Sequence, residues 1–126
     1  MKNGFIKVGC YTPKSKVCDV EYNAKNIIEG INEAANKGVK ILVFPELSLT
    51  TYTAGDLFYH DVLIESSYKY LSLILEETKF LDILVFLGIP YMYGGRLYNV
   101  AVAIKGGNIL GLVPKTYLPN YNEFYE

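Results

Sequence analysis

The sequence is poor in the residue types that many reaction classes need. Its 126 residues include one histidine, His60, two cysteines, Cys10 and Cys18, and no tryptophan. A single histidine excludes a two-histidine metal centre built from this chain alone. Two cysteines with no further Cys or His at ligand spacing make neither a disulfide framework nor a zinc site. A reduced, cytoplasmic protein is therefore the default expectation. Charge of one sign is also missing: 12 Lys and Arg stand against 13 Asp and Glu, a net charge of −1. Such a chain has no global field to gather nucleic acid or anionic lipid, so neither partner is expected. Long hydrophobic runs are absent too. Runs such as Ile41–Phe44 and Ile83–Ile89 fall far short of the roughly 20 residues that span a bilayer. The start, Met1-Lys-Asn-Gly-Phe-Ile-Lys-Val8, has no apolar stretch of the kind that marks a secretory signal. No Gly-x-x-x-x-Gly-Lys loop, Gly-x-Gly-x-x-Gly fingerprint or Gly-x-Ser-x-Gly elbow occurs.

What is present is apolar and patterned. Hydrophobic residues make up 51% of the chain and charged residues 20%, which excludes a disordered tail. Tyrosine is abundant, at 12, and suits half-buried positions with one wet end. Phe5–Thr12 alternates and reads as a strand ending before Pro13. Ile27, Ile28, Ile31, Ala34 and Ala35 form a helical stripe within Val20–Lys37. Asp19 or Asn23 suits its N-cap, and Gly38 its stop. Val39–Phe44 is a nearly continuous apolar run, as expected of a strand buried on both faces. Ser48–Asp56 reads as a loop, and Leu57–Leu81 as a second helix with Val62, Leu71, Ile74 and Leu75 inward. Ile83–Met92, Arg96–Ile104 and Ile109–Val113 read as strands joined by Gly-Gly hairpins at 94–95 and 106–107. The order β-α-β-α-β-β-β predicts one α/β layered domain with a mixed sheet. No repeat, linker or low-complexity tract interrupts it. The aromatic segment 117–126 has no capping element after it, which predicts a piece of a larger domain.

Two charged residues share one context. Glu46 follows Ile41-Leu-Val-Phe-Pro45, and Lys115 follows Leu110-Gly-Leu-Val-Pro114. Each stands just past an apolar strand closed by proline, and ligands of α/β folds collect at the carboxyl ends of strands. A carboxylate there can take a proton, and an ammonium can stabilise an oxyanion. From spacing alone, a strand-end salt bridge or two unrelated solvated charges is the commoner explanation. The remaining candidates read more simply. Cys10 suits a small buried hydrophobe in the first strand. Cys18 is a loop thiol with no basic helix end to activate it. Ser48, Thr50 and Thr51 suit loop hydrogen bonding, and His60 a surface or half-buried place. Lys14, Lys16 and Arg96 are scattered, as solvated charges are.

Two segments carry a resemblance. Phe44-Pro-Glu-Leu-Ser-Leu-Thr-Thr-Tyr52 is similar to the first catalytic segment of the nitrilase, or carbon–nitrogen hydrolase, superfamily. Val113-Pro-Lys-Thr-Tyr-Leu-Pro-Asn-Tyr121 resembles its lysine-bearing segment. Tyr11–Asn23, Tyr52–Phe58 and Lys115–Glu126 narrow the resemblance to the glutaminase domains of glutamine-dependent NAD synthetases. It runs in order along essentially the whole chain. It implies the N-terminal portion of an α-β-β-α sandwich with mixed sheets, spanning 1–126. It implies hydrolysis of the glutamine side-chain amide, with the ammonia passed to a synthetase domain that amidates deamido-NAD with ATP and magnesium. That second domain is not represented here, and the resemblance implies no cofactor or metal for this one. By motif, Glu46 is the general base, Lys115 the oxyanion stabiliser and Glu123 a supporting acid. Tyr52, Tyr121 and Phe124 line the glutamine pocket. The family's nucleophilic cysteine lies beyond the lysine segment and matches neither Cys10 nor Cys18, so the chain alone is expected to be inactive. Half a sandwich exposes a sheet face, which predicts self-association, with a homo-oligomer as the natural form. Two other readings stay open: a stand-alone amidase acting on another small amide, and a short, catalytically dead binding or assembly module.

Overall fold

The computed structural model describes residues 3–118, together with the backbone of Asn120, Tyr121, Phe124 and Tyr125. Five strands form one sheet in the order β1-β2-β3-β4-β5. They are β1 (Lys7–Cys10), β2 (Val39–Val43), β3 (Leu84–Tyr93), β4 (Arg96–Lys105) and β5 (Asn108–Pro114). The first three run parallel, β4 returns antiparallel to β3, and β5 is antiparallel to β4, so that it runs in the direction of β2 and β3. Helices α1 (Val20–Asn36) and α2 (Asp61–Thr78) connect the parallel strands. A two-residue ribbon, β6 (Asn120–Tyr121) with β7 (Phe124–Tyr125), follows. The mixed sheet and the element order agree with the sequence expectation.

The helices cover one face of the sheet. Ile27 and Ile31 of α1 and Leu71 and Ile74 of α2 meet Leu42, Val85, Leu87, Ile89, Val102 and Ile104 in one buried core. Each such aliphatic side chain contributes about 1.5–3 kcal/mol on full burial. The other face carries Val8, Val43 and Val113, all exposed, with Phe86 half-buried between them. This is half of the expected sandwich, one sheet with one helical layer.

Local chemistry explains the boundaries. Asp19 caps α1 by accepting a hydrogen bond from the Tyr22 amide at 3.1 Å. Asn23 is instead a fully buried clamp: its Nδ2 donates to the carbonyls of Lys16 and Leu49, and its Oδ1 accepts from the Lys16 amide. Gly94 and Gly95, with φ of 57° and 76°, adopt the paired positive φ that a tight hairpin turn needs.

Four expectations need correction. The second helix begins at Asp61, not Leu57, and residues Tyr52–Tyr59 form 3-10 turns where the end of a loop and the start of that helix were expected. Gly55 at φ 58° and the extended backbone of His60 interrupt the helical path. Val62 lies in the first turn of α2 and is 74% exposed, while Leu63 and Ile64 take the inward positions. Cys10 is exposed, because it lies on the uncovered sheet face rather than against the helices. The first strand is shorter than expected, and Phe5 is exposed at its approach.

Candidate active site

The site forms where β2 ends. Pro45 cannot donate to a ladder, and the chain turns off the sheet there. The turn still leans on β3. The Phe44 amide donates to the Phe86 carbonyl at 2.9 Å. Beyond the proline, the Gly88 amide donates to Ser48 Oγ, and the Leu49 amide donates to the Gly88 carbonyl, each at 3.2 Å. Leu47 sits at the apex with φ 51°, a left-handed conformation that costs a non-glycine residue about 1–3 kcal/mol. Burial of its side chain and acceptance of the Thr50 and Thr51 amides by its carbonyl hold it there. Gly88 is what lets the elbow lie so close. A Cβ on it would come within 2.9 Å of Leu47 Cα and 3.0 Å of the Glu46 carbonyl carbon.

This elbow presents Glu46 toward the end of β5. There Pro114 closes the strand, and Lys115 follows with its amide donating to the Asn99 carbonyl at 2.8 Å. The Lys115 ammonium reaches Glu46 Oε1 at 2.8 Å. Asn99, on β4, donates its side-chain amide to the same oxygen. The carboxylate is acceptor-only when ionised, so the Asn99 NH₂, not its carbonyl, must face it. Tyr52, at the start of the 3-10 turns, places its ring centroid 5.7 Å from the Lys115 ammonium. The pair is neither buried nor fully solvated, with the lysine side chain 28% and the glutamate 42% exposed. Beside it lies a depression of about 370 Å³, walled mostly by apolar groups that include Val43, Phe86, Val100 and Val113.

The structure thus brings together three of the predicted site residues: Glu46, Lys115 and Tyr52. For Tyr121 and Phe124 the description extends only to their backbone pairing in the β6–β7 ribbon. Glu123 lies outside the described residues. Of the loop hydroxyls, Ser48 and Thr50 hydrogen-bond as expected. Thr51 Oγ1 does not: it is buried without a hydrogen-bond partner among the described residues. Neither cysteine lines the depression. Burial pushes the Cys18 thiol above its ordinary range, the opposite of an activated thiolate. Among the described residues no group of three or more His, Cys, Asp or Glu side chains could hold a metal ion. No helix among them is long and apolar enough to cross a membrane.

Asn99 escaped the sequence reading. Its signal was faint but present: on the β4 face of Leu97, Asn99, Ala101 and Ala103 it is the one polar residue. An amide on an otherwise apolar strand face needs a partner.

A mixed sheet with helices on one face, and a glutamate and a lysine meeting at its carboxyl end, has the layout of one half of the nitrilase fold. The chain belongs to the carbon-nitrogen hydrolase family, whose pattern matches residues 7–126. It is 37% identical over 124 residues to the glutamine-dependent NAD(+) synthetase of Mycobacterium leprae, covering 98% of this chain and 18% of that protein. It is 38% identical over 110 residues to the corresponding enzyme of Aquifex aeolicus, covering 87% of this chain and 19% of that one. The crystal structure of a glutamine-dependent NAD(+) synthetase from Cytophaga hutchinsonii superposes with a TM-score of 0.85 at 36% identity, over 91% of this chain and 20% of that chain. An amidase from Nesterenkonia sp. AN1 shares the fold, with a TM-score of 0.76 at 16% identity, over 98% of this chain and 48% of that chain. The chain therefore spans about a fifth of the length of the synthetases it matches.

Proposed function

We propose that this chain is the base-and-lysine half of the glutaminase site of a glutamine-dependent NAD synthetase. The observation that carries the reading is the 2.8 Å contact between Glu46 and Lys115 at the carboxyl end of the sheet. In the complete enzyme, Glu46 takes the proton from a cysteine thiol supplied by polypeptide beyond this chain. The thiolate attacks the side-chain amide carbon of glutamine, and negative charge develops on the amide oxygen. The Lys115 ammonium stabilises that oxyanion. Glu46 then returns its proton to the departing nitrogen, and ammonia leaves. Water, deprotonated by the same carboxylate, hydrolyses the thioester to glutamate and restores the thiol.

The ion pair serves both roles. The ammonium lies 2.8 Å from the carboxylate that takes the proton, and the same cation stabilises the oxyanion as it forms. Tyr52, Tyr121 and Phe124 line the glutamine pocket, and Glu123 supports the lysine. The ammonia amidates deamido-NAD in a synthetase domain that uses ATP and magnesium. The uncovered sheet face is the seat of the other half of the sandwich, which removes the need for self-association of a half-domain.

The test uses the full-length enzyme. Glu46→Gln and Lys115→Ala are each expected to lower glutamine hydrolysis by at least about 100-fold, the scale on which general acid–base groups and oxyanion donors act. NAD formation from added ammonium bypasses this site and reports that the rest of the enzyme is intact. Glutamine turnover retained in either variant refutes the assignment.

A further inference from the structure

A general base works only when its carboxylate is aimed at the proton it takes. A glutamate side chain on a turn has three rotatable bonds, and the lysine that faces it is long and flexible. One ion pair between two such chains at a partly exposed site does not fix an orientation. General-base chemistry needs the accepting oxygen within about 2.6–3.2 Å of the proton donor.

Asn99 supplies the missing constraint. Its side chain is short, and it stands on β4 at the centre of the site, paired with Pro90 of β3. Its amide donates to Glu46 Oε1, the oxygen that also accepts from Lys115. Its backbone carbonyl accepts from the Lys115 amide at 2.8 Å. One residue of a mid-sheet strand therefore grips the base through its side chain and the lysine through its backbone. Both donors converge on Oε1, and no described residue donates to Oε2 at hydrogen-bonding distance.

We propose that Asn99 is a positioning residue of the glutaminase site. It ties down Oε1 so that Oε2 is the oxygen presented to the thiol, and it fixes the spacing of Glu46 and Lys115. This rests on the function proposed above. Asn99 acts only through the carboxylate it holds.

The experiment is steady-state kinetics of the full-length enzyme carrying Asn99→Leu or Asn99→Asp, with ammonium-driven NAD formation as the check on folding. Asn99→Leu removes the donor at similar volume. It is expected to lower kcat for glutamine by about 10- to 100-fold, because a misplaced base costs rate, while KM stays within about twofold. Asn99→Asp keeps the shape but sets a second carboxylate against the first, and is expected to lower kcat further. If Asn99→Leu also loses ammonium-driven activity, Asn99→Ala, which adds no bulk, takes its place. An unchanged kcat in a folded Leu or Ala variant overturns the inference while the proposed function stands. So does a raised KM with kcat intact, which marks a substrate contact instead. A parental enzyme that forms NAD from ammonium but does not hydrolyse glutamine overturns both.

Discussion

Replacing Gly88 with alanine tests whether the elbow, rather than the motif residues alone, makes the site. The added Cβ would meet backbone, 2.9 Å from Leu47 Cα and 3.0 Å from the Glu46 carbonyl carbon. Backbone cannot rotate away as a side-chain tip can. Either the elbow lifts or β3 bends, and the Gly88–Ser48 and Leu49–Gly88 hydrogen bonds stretch with it. Overpacking of this kind costs about 1–3 kcal/mol. Restricting the unfolded chain returns about 0.4–1 kcal/mol, so a net loss of about 1–2 kcal/mol is expected. The kinetic effect should be larger than the stability effect, because a base displaced by about 1 Å costs about 100-fold in rate. Gly9→Ala is the internal control. Its Cβ would find Val39 Cγ1 at 3.7 Å and Leu42 Cδ1 at 3.8 Å, which is ordinary contact. The assay is kcat/KM for glutamine with chemical denaturation of the same full-length preparations. Gly88→Ala with parental kcat/KM, or Gly9→Ala with the larger loss, would refute the reasoning.

Two further outcomes follow from contacts outside the site. Asn23→Ala leaves the Leu49 carbonyl at the foot of the elbow without its buried donor, so a loss of about 2–3 kcal/mol is expected in a denaturation midpoint. An unchanged midpoint would show that the clamp is redundant. At the opposite end of the sheet, a hydrogen bond from Lys40, then one from Lys105, holds the Asp82 carboxyl below the usual carboxylate range. A lowered folded-state value favours the folded protein above the ordinary titration range and loses that advantage as pH falls through the lowered value. The stability difference between the parent and Asp82→Asn should therefore be small at neutral pH, fade in acid, and shrink at about 1 M salt. A difference that grows in acid contradicts the sign.

The sequence and the structure agree where one local signal dominates. The α1 stripe was legible because Ile27, Ile31 and Ala34 are buried against the sheet at helical spacing. The hairpins were legible because paired glycines meet a backbone demand that few other residues meet. The 3-10 turns of Tyr52–Tyr59 were not, because Thr, Gly and Asp there read as a loop and the turn type depends on neighbours. Val62 and Cys10 misled for a related reason. Each is apolar enough to belong inside, and only the three-dimensional arrangement decides which face is covered.

The site shows the same division more sharply. Glu46 and Lys115 were legible because each follows a strand-closing proline, a local event that turns the next side chain off the sheet. Their meeting was not legible, since 69 residues separate them. It depends on β3 and β4 lying between β2 and β5 in the sheet, so that the ends of β2 and β5 face the same edge of the molecule. Gly88 and Asn99 sit on those intervening strands and carry no signature of their own. One is a glycine where the elbow must approach, and the other an amide where two charges must be held close to each other. The two charged residues are written in the motif, but the distance between them is written in the strands that separate them.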